Sequence, residues 1–153
     1  MLTRGNLGNV EPPFIRHTAG SEHQGKTLRA GSGWELKIDP CELSFLRVDH
    51  QVRLQFKKTE IVIESPFILR IGGVDYHLDP GERRNLGPFL GLYPNTLVSA
   101  SVDAQATLQL AFGDGATITV PADPQYETWQ VNGPGNFLVV CVPGTSGDLS
   151  IWE

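Results

Sequence analysis

Residues Val52–Leu78 read VRLQFKKTEIVIESPFILRIGGVDYHL. Four short apolar runs, VRLQF, EIVIE, FILRI and VDYHL, are punctuated by KKT, SP and GG. None is long enough for a stable helix, and β-branched residues dominate EIVIE. Runs of this length with turn signals this dense predict antiparallel hairpins. Gly72-Gly73 is the sharpest turn, because a two-residue hairpin loop needs positive φ and glycine adopts it without a Cβ penalty.

The same grammar extends both ways. Upstream, WELKID sets Trp34, Leu36 and Ile38 against Glu35, Lys37 and Asp39, the alternation of a half-buried strand, and LSFLRV follows from Leu43. Downstream come TLVSASV, ATLQLAF, ATITV, TWQV, NFLVVCV and LSIW. Between the two groups lies DPGERRNLGPFLGLYPN. There Asp79 and Pro80 suit a helix start, and Leu86, Phe89, Leu90 and Tyr93 fall at helical spacing. Gly87 and Pro88 predict that this helix is short or broken.

The halves resemble each other. Leu43–Gln55 (LSFLRVDHQVRLQ) and Leu97–Gln109 (LVSASVDAQATLQ) align at a constant offset of 54, with identities at Leu43/Leu97, Val48/Val102, Asp49/Asp103, Gln51/Gln105, Leu54/Leu108 and Gln55/Gln109. The expected fold is α+β and mostly antiparallel β: two sequence-related meanders, 43–78 and 97–142, share one core and are joined by one short helix. Residues 33–153 form this domain. Residues 1–32 show neither strand nor helix periodicity and read as a flexible arm that holds His17 and His23.

Composition narrows the function. The 153 residues suit one domain, and 17 Gly with 11 Pro favour turns over helices. The net charge is −5, and basic residues adjoin only at Lys57-Lys58 and Arg83-Arg84, which argues against a nucleic-acid partner. No apolar run approaches a membrane span, and no signal-like segment opens the chain, so a soluble cytoplasmic protein with no membrane partner is expected. Cys41 and Cys141 stand 100 positions apart, outside any zinc spacing, and Cys141 sits in an apolar strand.

Several elements in fixed order carry a resemblance. IESPF (Ile63–Phe67), FGDG (Phe112–Gly115), YETW (Tyr126–Trp129) and the closing PGTSGDLSIW (Pro143–Trp152) resemble a family of small bacterial proteins classed as a domain of unknown function. Here Thr145-Ser146 interrupts the glycine pair of the closing element. The resemblance covers Trp34–Glu153. It implies a style shared with immunity and accessory proteins of bacterial toxin systems, which act by binding one partner.

Candidate sites follow from chemistry. Asp75, His77 and Asp79 are i, i+2, i+4 and would share one strand face, as weak metal candidates against the alternative of an exposed polar face. GTSGD at Gly144 is not a hydrolase elbow, and NGPGN precedes a strand rather than a phosphate-binding helix, so no cofactor is called for. In YETWQV a strand would turn Tyr126, Thr128 and Gln130 one way and Glu127, Trp129 and Val131 the other. Trp129 then faces the core. Glu127 lies at the rim or pairs with an arginine such as Arg53 or Arg70. Tyr126 is the better surface anchor, and Trp152 either plugs the sheet or joins the same patch. The first expectation is a non-enzymatic binding protein with a protein partner, its candidate residues being Tyr126, Glu127, Trp129 and Trp152. Two alternatives stand beside it. One is a small-molecule pocket between the meanders, lined by Trp34, Tyr76 or Trp129. The other is a hydrolase using Glu127 or the Asp75/His77/Asp79 face. Self-association into a homodimer through an unpaired sheet edge is a further option.

Overall fold

The computed structural model describes residues 26–30, 33–143 and 148–152. The strands are β1 (Lys26–Ala30), β2 (Gly33–Lys37), β3 (Cys41–Val48), β4 (Val52–Phe56), β5 (Glu60–Ile63), β6 (Phe67–Ile71), β7 (Val74–Leu78), β8 (Thr96–Val102), β9 (Leu108–Phe112), β10 (Thr117–Val120), β11 (Trp129–Asn132), β12 (Leu138–Val142) and β13 (Asp148–Trp152). Between β7 and β8 come a 3-10 turn at Arg83–Asn85 and one helical turn, α1 (Gly87–Leu90). The fold is therefore mostly antiparallel β with one short helix among the described residues, as the sequence patterning predicts.

The expected arm falls largely outside the described residues, together with His17 and His23. Where it overlaps them its boundary moves, because Lys26–Ala30 form β1 in register with β2. Asp79 does not cap a helix. Its Oδ1 accepts from the Gly81 amide at 2.9 Å, a local turn that competes with helix formation, and α1 starts only at Gly87 with Pro88 in its first turn.

The strands follow the order β13-β12-β11-β5-β4-β3-β8-β9-β10-β6-β7, with β2 beside β8 and β1 beside β2. Exchanging β3 with β8, β4 with β9, β5 with β10, β6 with β11 and β7 with β12 maps the stretch from β12 to β7 onto itself reversed. Each meander thus sends its last strands across: β11 pairs β5, and β6 pairs β10. At the centre β3 and β8 are in register only at Cys41↔Leu97 and Glu42↔Thr96, with the Leu43 amide donating to the Asn95 carbonyl just beyond. Each then bulges at the matching place, Ser44 and Val98, and the two strands part. We call the six strands from β3 to β13 the β3 sheet, and those from β8 to β7, with β2 and β1, the β8 sheet.

The constant offset of 54 ends at the first hairpin. Val48 faces Val52, whereas Val102 faces Leu108, because the second hairpin turn is two residues longer. Beyond it the matching pairs are Leu54 with Leu110 and Phe56 with Phe112, so the Leu54/Leu108 and Gln55/Gln109 identities do not occupy equivalent places.

Both sheets turn one face to a single apolar cluster. It includes Val52, Leu54, Phe56, Ile61 and Ile63 from one sheet and Leu69, Leu108, Leu110 and Ile118 from the other. Phe67 on β6 and Phe89 on α1 meet edge-on at 5.9 Å, which anchors the connector to the core. Gly72 and Gly73 have φ of +59° and +81°, and Ile71 faces Val74 across them, the two-residue turn the sequence predicts.

Candidate functional site

Trp129 opens β11 and is fully buried, with its Nε1–H donating to the Ala106 carbonyl at 3.0 Å. The acceptor sits in the lengthened β8–β9 turn, where Ala106 has φ of +63°. Cys141 Sγ lies 3.8 Å from the same oxygen. Trp129 is thus a core residue that ties one sheet to a turn of the other, and it is not a surface anchor. Trp34 is buried in the same cluster and Tyr76 packs against it. Trp34, Tyr76 and Trp129, the residues expected to line a pocket between the meanders, thus belong to the common core or pack against it.

Tyr126 and Glu127 are exposed and precede β11 rather than belonging to it. The Thr128 carbonyl accepts from the Glu64 amide at 2.9 Å, so the chain joins the sheet only there. Arg53 and Arg70 are engaged elsewhere, Arg53 with Glu60 and Arg70 with Asp75, and Glu127 is exposed, which matches the rim position of the two expected placements. Trp152 ends β13 and is 47% exposed. It faces Leu138, which faces Asn132 at the far end of β11 from Trp129. Tyr126 and Trp152 therefore lie toward opposite ends of one strand and do not form one patch.

Asp75 and His77 share the outward face of β7, and Asp79 lies just beyond that strand. Asp75 is committed: Arg70 donates to its two oxygens at 2.6 and 3.1 Å. The Arg70 guanidinium holds the Asp75 carboxyl below the usual carboxylate range. Among the described residues no three His, Cys, Asp or Glu side chains are grouped to hold a metal ion. His77, Asp79 and Glu82 instead line an open depression of about 370 Å³ with Pro66, Phe67 and Pro121.

The outer face of the β3 sheet is the more distinctive surface. Register defines two rows across its six strands. One runs Phe45, Gln55, Glu60, Asn132, Leu138, Trp152; the other runs Arg47, Arg53, Val62, Gln130, Val140, Ser150. Phe45, 52% exposed, and Trp152 close the first row at its two ends. Five interstrand steps separate them, about 24 Å at the usual spacing. In the second row Val62 is fully buried although it lies outside the core cluster. It is flanked by the longer side chains of Arg53 and Gln130, whose stems can shield it. Arg53 is held over the sheet, with Nη1 donating to Glu60 Oε2 at 3.3 Å and Nη2 to Gln51 Oε1 at 2.8 Å.

The β8 sheet supplies a control within the same chain. Its equivalent rows are Ser99, Ala111, Thr117, Arg70, Asp75 and Ser101, Gln109, Thr119, Ile68, His77. They carry no aromatic residue. The signal that distinguishes the two faces is spread across six strands, and only the register collects it. Of the anchors on the β3 face, sequence reasoning singled out Trp152, named Arg53 only as a partner for Glu127, and missed Phe45 and Arg47.

The geometry defines a strand-exchanged antiparallel β protein with one face enriched in aromatic and arginine side chains. The chain belongs to a family of unknown function, DUF6188, whose profile matches residues 34–153. No curated protein and no solved structure matches the chain. Among the described residues no helix is long and apolar enough to cross a membrane.

Proposed function

We propose that this domain works by binding a protein partner, without chemistry of its own, through the outer face of the β3 sheet. The family resemblance suggests the setting, an immunity or accessory factor of a bacterial toxin system. The observation that carries the reading is the contrast between the two outer faces. One fold element is used twice, by the duplication we infer from the reversible strand order and the matched bulges at Ser44 and Val98. One copy carries no aromatic side chain in its two outer rows, and its arginine, Arg70, is paired with Asp75. The other carries exposed Phe45 beside a held Arg53, and β13, a strand with no counterpart beside β7 among the described residues, extends that face to exposed Trp152. Aromatic and arginine side chains are the ones that concentrate binding energy at protein interfaces. A reducing, cytoplasmic location suits the two unbridged cysteines.

The test is affinity capture with cross-linking, comparing wild type with Phe45→Ala, Trp152→Ala, Tyr126→Ala and a Thr119→Ala control on the opposite face. The expected result is one stoichiometric partner, lost with either aromatic on the β3 face and kept with Thr119→Ala. A partner that survives both face variants, or is lost only with Tyr126→Ala, refutes this placement.

A further inference from the structure

The internal two-fold order is broken beside the two central strands. Beyond its bulge, β8 is flanked on the side away from β9 by β2, with Trp34↔Val102, Glu35↔Ser101 and Leu36↔Ala100 in register. The equivalent flank of β3, on the side away from β4, has no strand among the described residues. Core-facing side chains record the difference. Val102 is 2% exposed, whereas its counterpart Val48 is 37% exposed. Ala100 is buried, whereas its counterpart Leu46 is only half-buried.

The backbone is poised in the same way. The Asp49 amide donates to the Gln51 carbonyl at 3.0 Å, the last ladder bond of the hairpin, while the Asp49 carbonyl accepts from Arg83 Nε. Antiparallel pairs alternate, so Arg47 and Arg53 form the next bonded pair, and the N–H and C=O groups of Leu46 and Val48 point to the open side. Arg47 stands between them, exposed, and reaches Asp49 through Nε at 3.8 Å, too long for a hydrogen bond.

We infer that this flank of β3 is a strand-accepting edge, which takes an extended segment of a partner protein bearing an apolar–acidic–apolar triplet antiparallel to Leu46–Val48. The pattern is that of the segment filling the equivalent slot, Trp34-Glu35-Leu36, transferred to β3. The apolar residues would seal Val48 and Leu46, and the acidic one would face Arg47, where opposite charges stabilise a cross-strand pair. Main-chain hydrogen bonds would give affinity, and the alternate side chains would give selectivity. Phe45, on the proposed binding face, adjoins this edge in sequence and in strand. The inference rests on the protein-binding reading and names how the partner docks.

The probe is a synthetic peptide of the chain's own Gly33–Asp39 sequence, GWELKID, titrated to millimolar concentration. Amide exchange is read residue by residue by NMR. With peptide at about ten times its Kd, exchange at Leu46 and Val48 slows about elevenfold, as the ratio 1 + [L]/Kd requires. Val48→Pro, which removes an outward-pointing N–H, abolishes the effect, and Val74→Lys on the β7 edge does not. Should Val48→Pro fail to fold, Arg47→Glu serves instead. It weakens GWELKID and is rescued by the peptide with lysine in place of glutamate. No protection at millimolar peptide, or protection elsewhere, overturns the inference. So does protection already present without peptide: if it disappears on dilution the occupant is a second copy, and if it persists the chain closes its own edge. The capture experiment with Trp152→Ala decides the binding face separately, so either reading can fall alone.

Discussion

Replacing Trp129 by phenylalanine separates a core role from a contact role at the residue whose sequence context suggests both. The side chain is fully buried, and its Nε1–H satisfies the Ala106 carbonyl at 3.0 Å. Phenylalanine is smaller by about 40 Å³, and an unrelaxed cavity of that size costs about 1 kcal/mol. The indole N–H is also lost, which leaves a buried carbonyl with no better partner than the Cys141 thiol at 3.8 Å. An orphaned buried acceptor costs about 1–3 kcal/mol. Together the change destabilises by about 3 kcal/mol, equivalent to a fall in Tm of roughly 10 °C for a domain of this size. Urea unfolding followed by far-ultraviolet circular dichroism measures it, with an unchanged m-value confirming a shift in stability alone. Trp152→Phe, on the exposed end of β13, shifts the midpoint by less than about 0.5 kcal/mol. A loss below about 1 kcal/mol at Trp129 would refute the reasoning, because neither the cavity nor the orphaned carbonyl would then be real. Partner capture should follow the folded fraction of Trp129→Phe and nothing more.

Three further outcomes are expected. A Cβ on Gly33 would sit 2.2 Å from the Val102 carbonyl oxygen, so Gly33→Ala pushes β2 off β8 at a cost of about 1–3 kcal/mol, read as faster amide exchange confined to β1, β2 and the facing edge of β8. Asp75 and Asp49 both titrate below the usual carboxylate range, Asp75 chiefly through Arg70 and Asp49 chiefly through the Gln51 amide. Their contribution is complete above the ordinary carboxylate pKa and is lost as pH falls through the depressed folded values. The urea midpoints of wild type and Asp75→Asn should therefore converge as pH falls below the ordinary carboxylate pKa of about 3.9, and a gap that widens in acid would contradict this. Thiol labelling at neutral pH is slow at Cys41, whose pKa is raised by burial and then by Asp39, and Cys141 reacts only when the protein unfolds.

Apart from β1, which sequence reading assigned to the arm, the strands were legible because each carries its own evidence. Period-2 alternation in WELKID and VRLQF reflects one face in the core and one outside, and Gly72-Gly73 states its turn through positive φ. Trp129 was legible as core from its neighbours alone. What was not legible is what depends on pairing at a distance. Nothing local says that β5 pairs β11 instead of β6, and the outer rows exist only after that choice is made. The apparent repeat was itself misleading past the first turn. Chance identities at Leu54/Leu108 and Gln55/Gln109 hid a two-residue lengthening of the second turn, which register exposes at once. Asp75, His77 and Asp79 satisfied the spacing for a shared face, but spacing carries no information about the Arg70 that claims Asp75.

That lengthened turn links the architecture to the proposed activity. In the second meander, the extra residues bring the Ala106 carbonyl to Trp129 and so fasten the β8 sheet to β11 of the β3 sheet. The first meander has the shorter turn, Asp49-His50-Gln51, whose Asp49 carbonyl accepts from Arg83 Nε of the connector at 3.0 Å rather than from a core residue of the other sheet. Its flank is also the one that lacks a neighbouring strand. The two halves thus divide their tasks: the second is sealed by β2 and pinned through Trp129, and the first keeps an open edge beside Phe45 and Arg47. An open edge is normally a hazard for aggregation, and short length, a bulge and a charge are the usual protections. All three are present on β3, with a short free stretch after the bulge at Ser44 and Arg47 within it. An edge guarded in this way resists flat, indiscriminate pairing but still admits a short segment whose charge answers Arg47. Selectivity here would come from the guard itself, so neutralising Arg47 should widen the range of segments accepted rather than simply weaken binding.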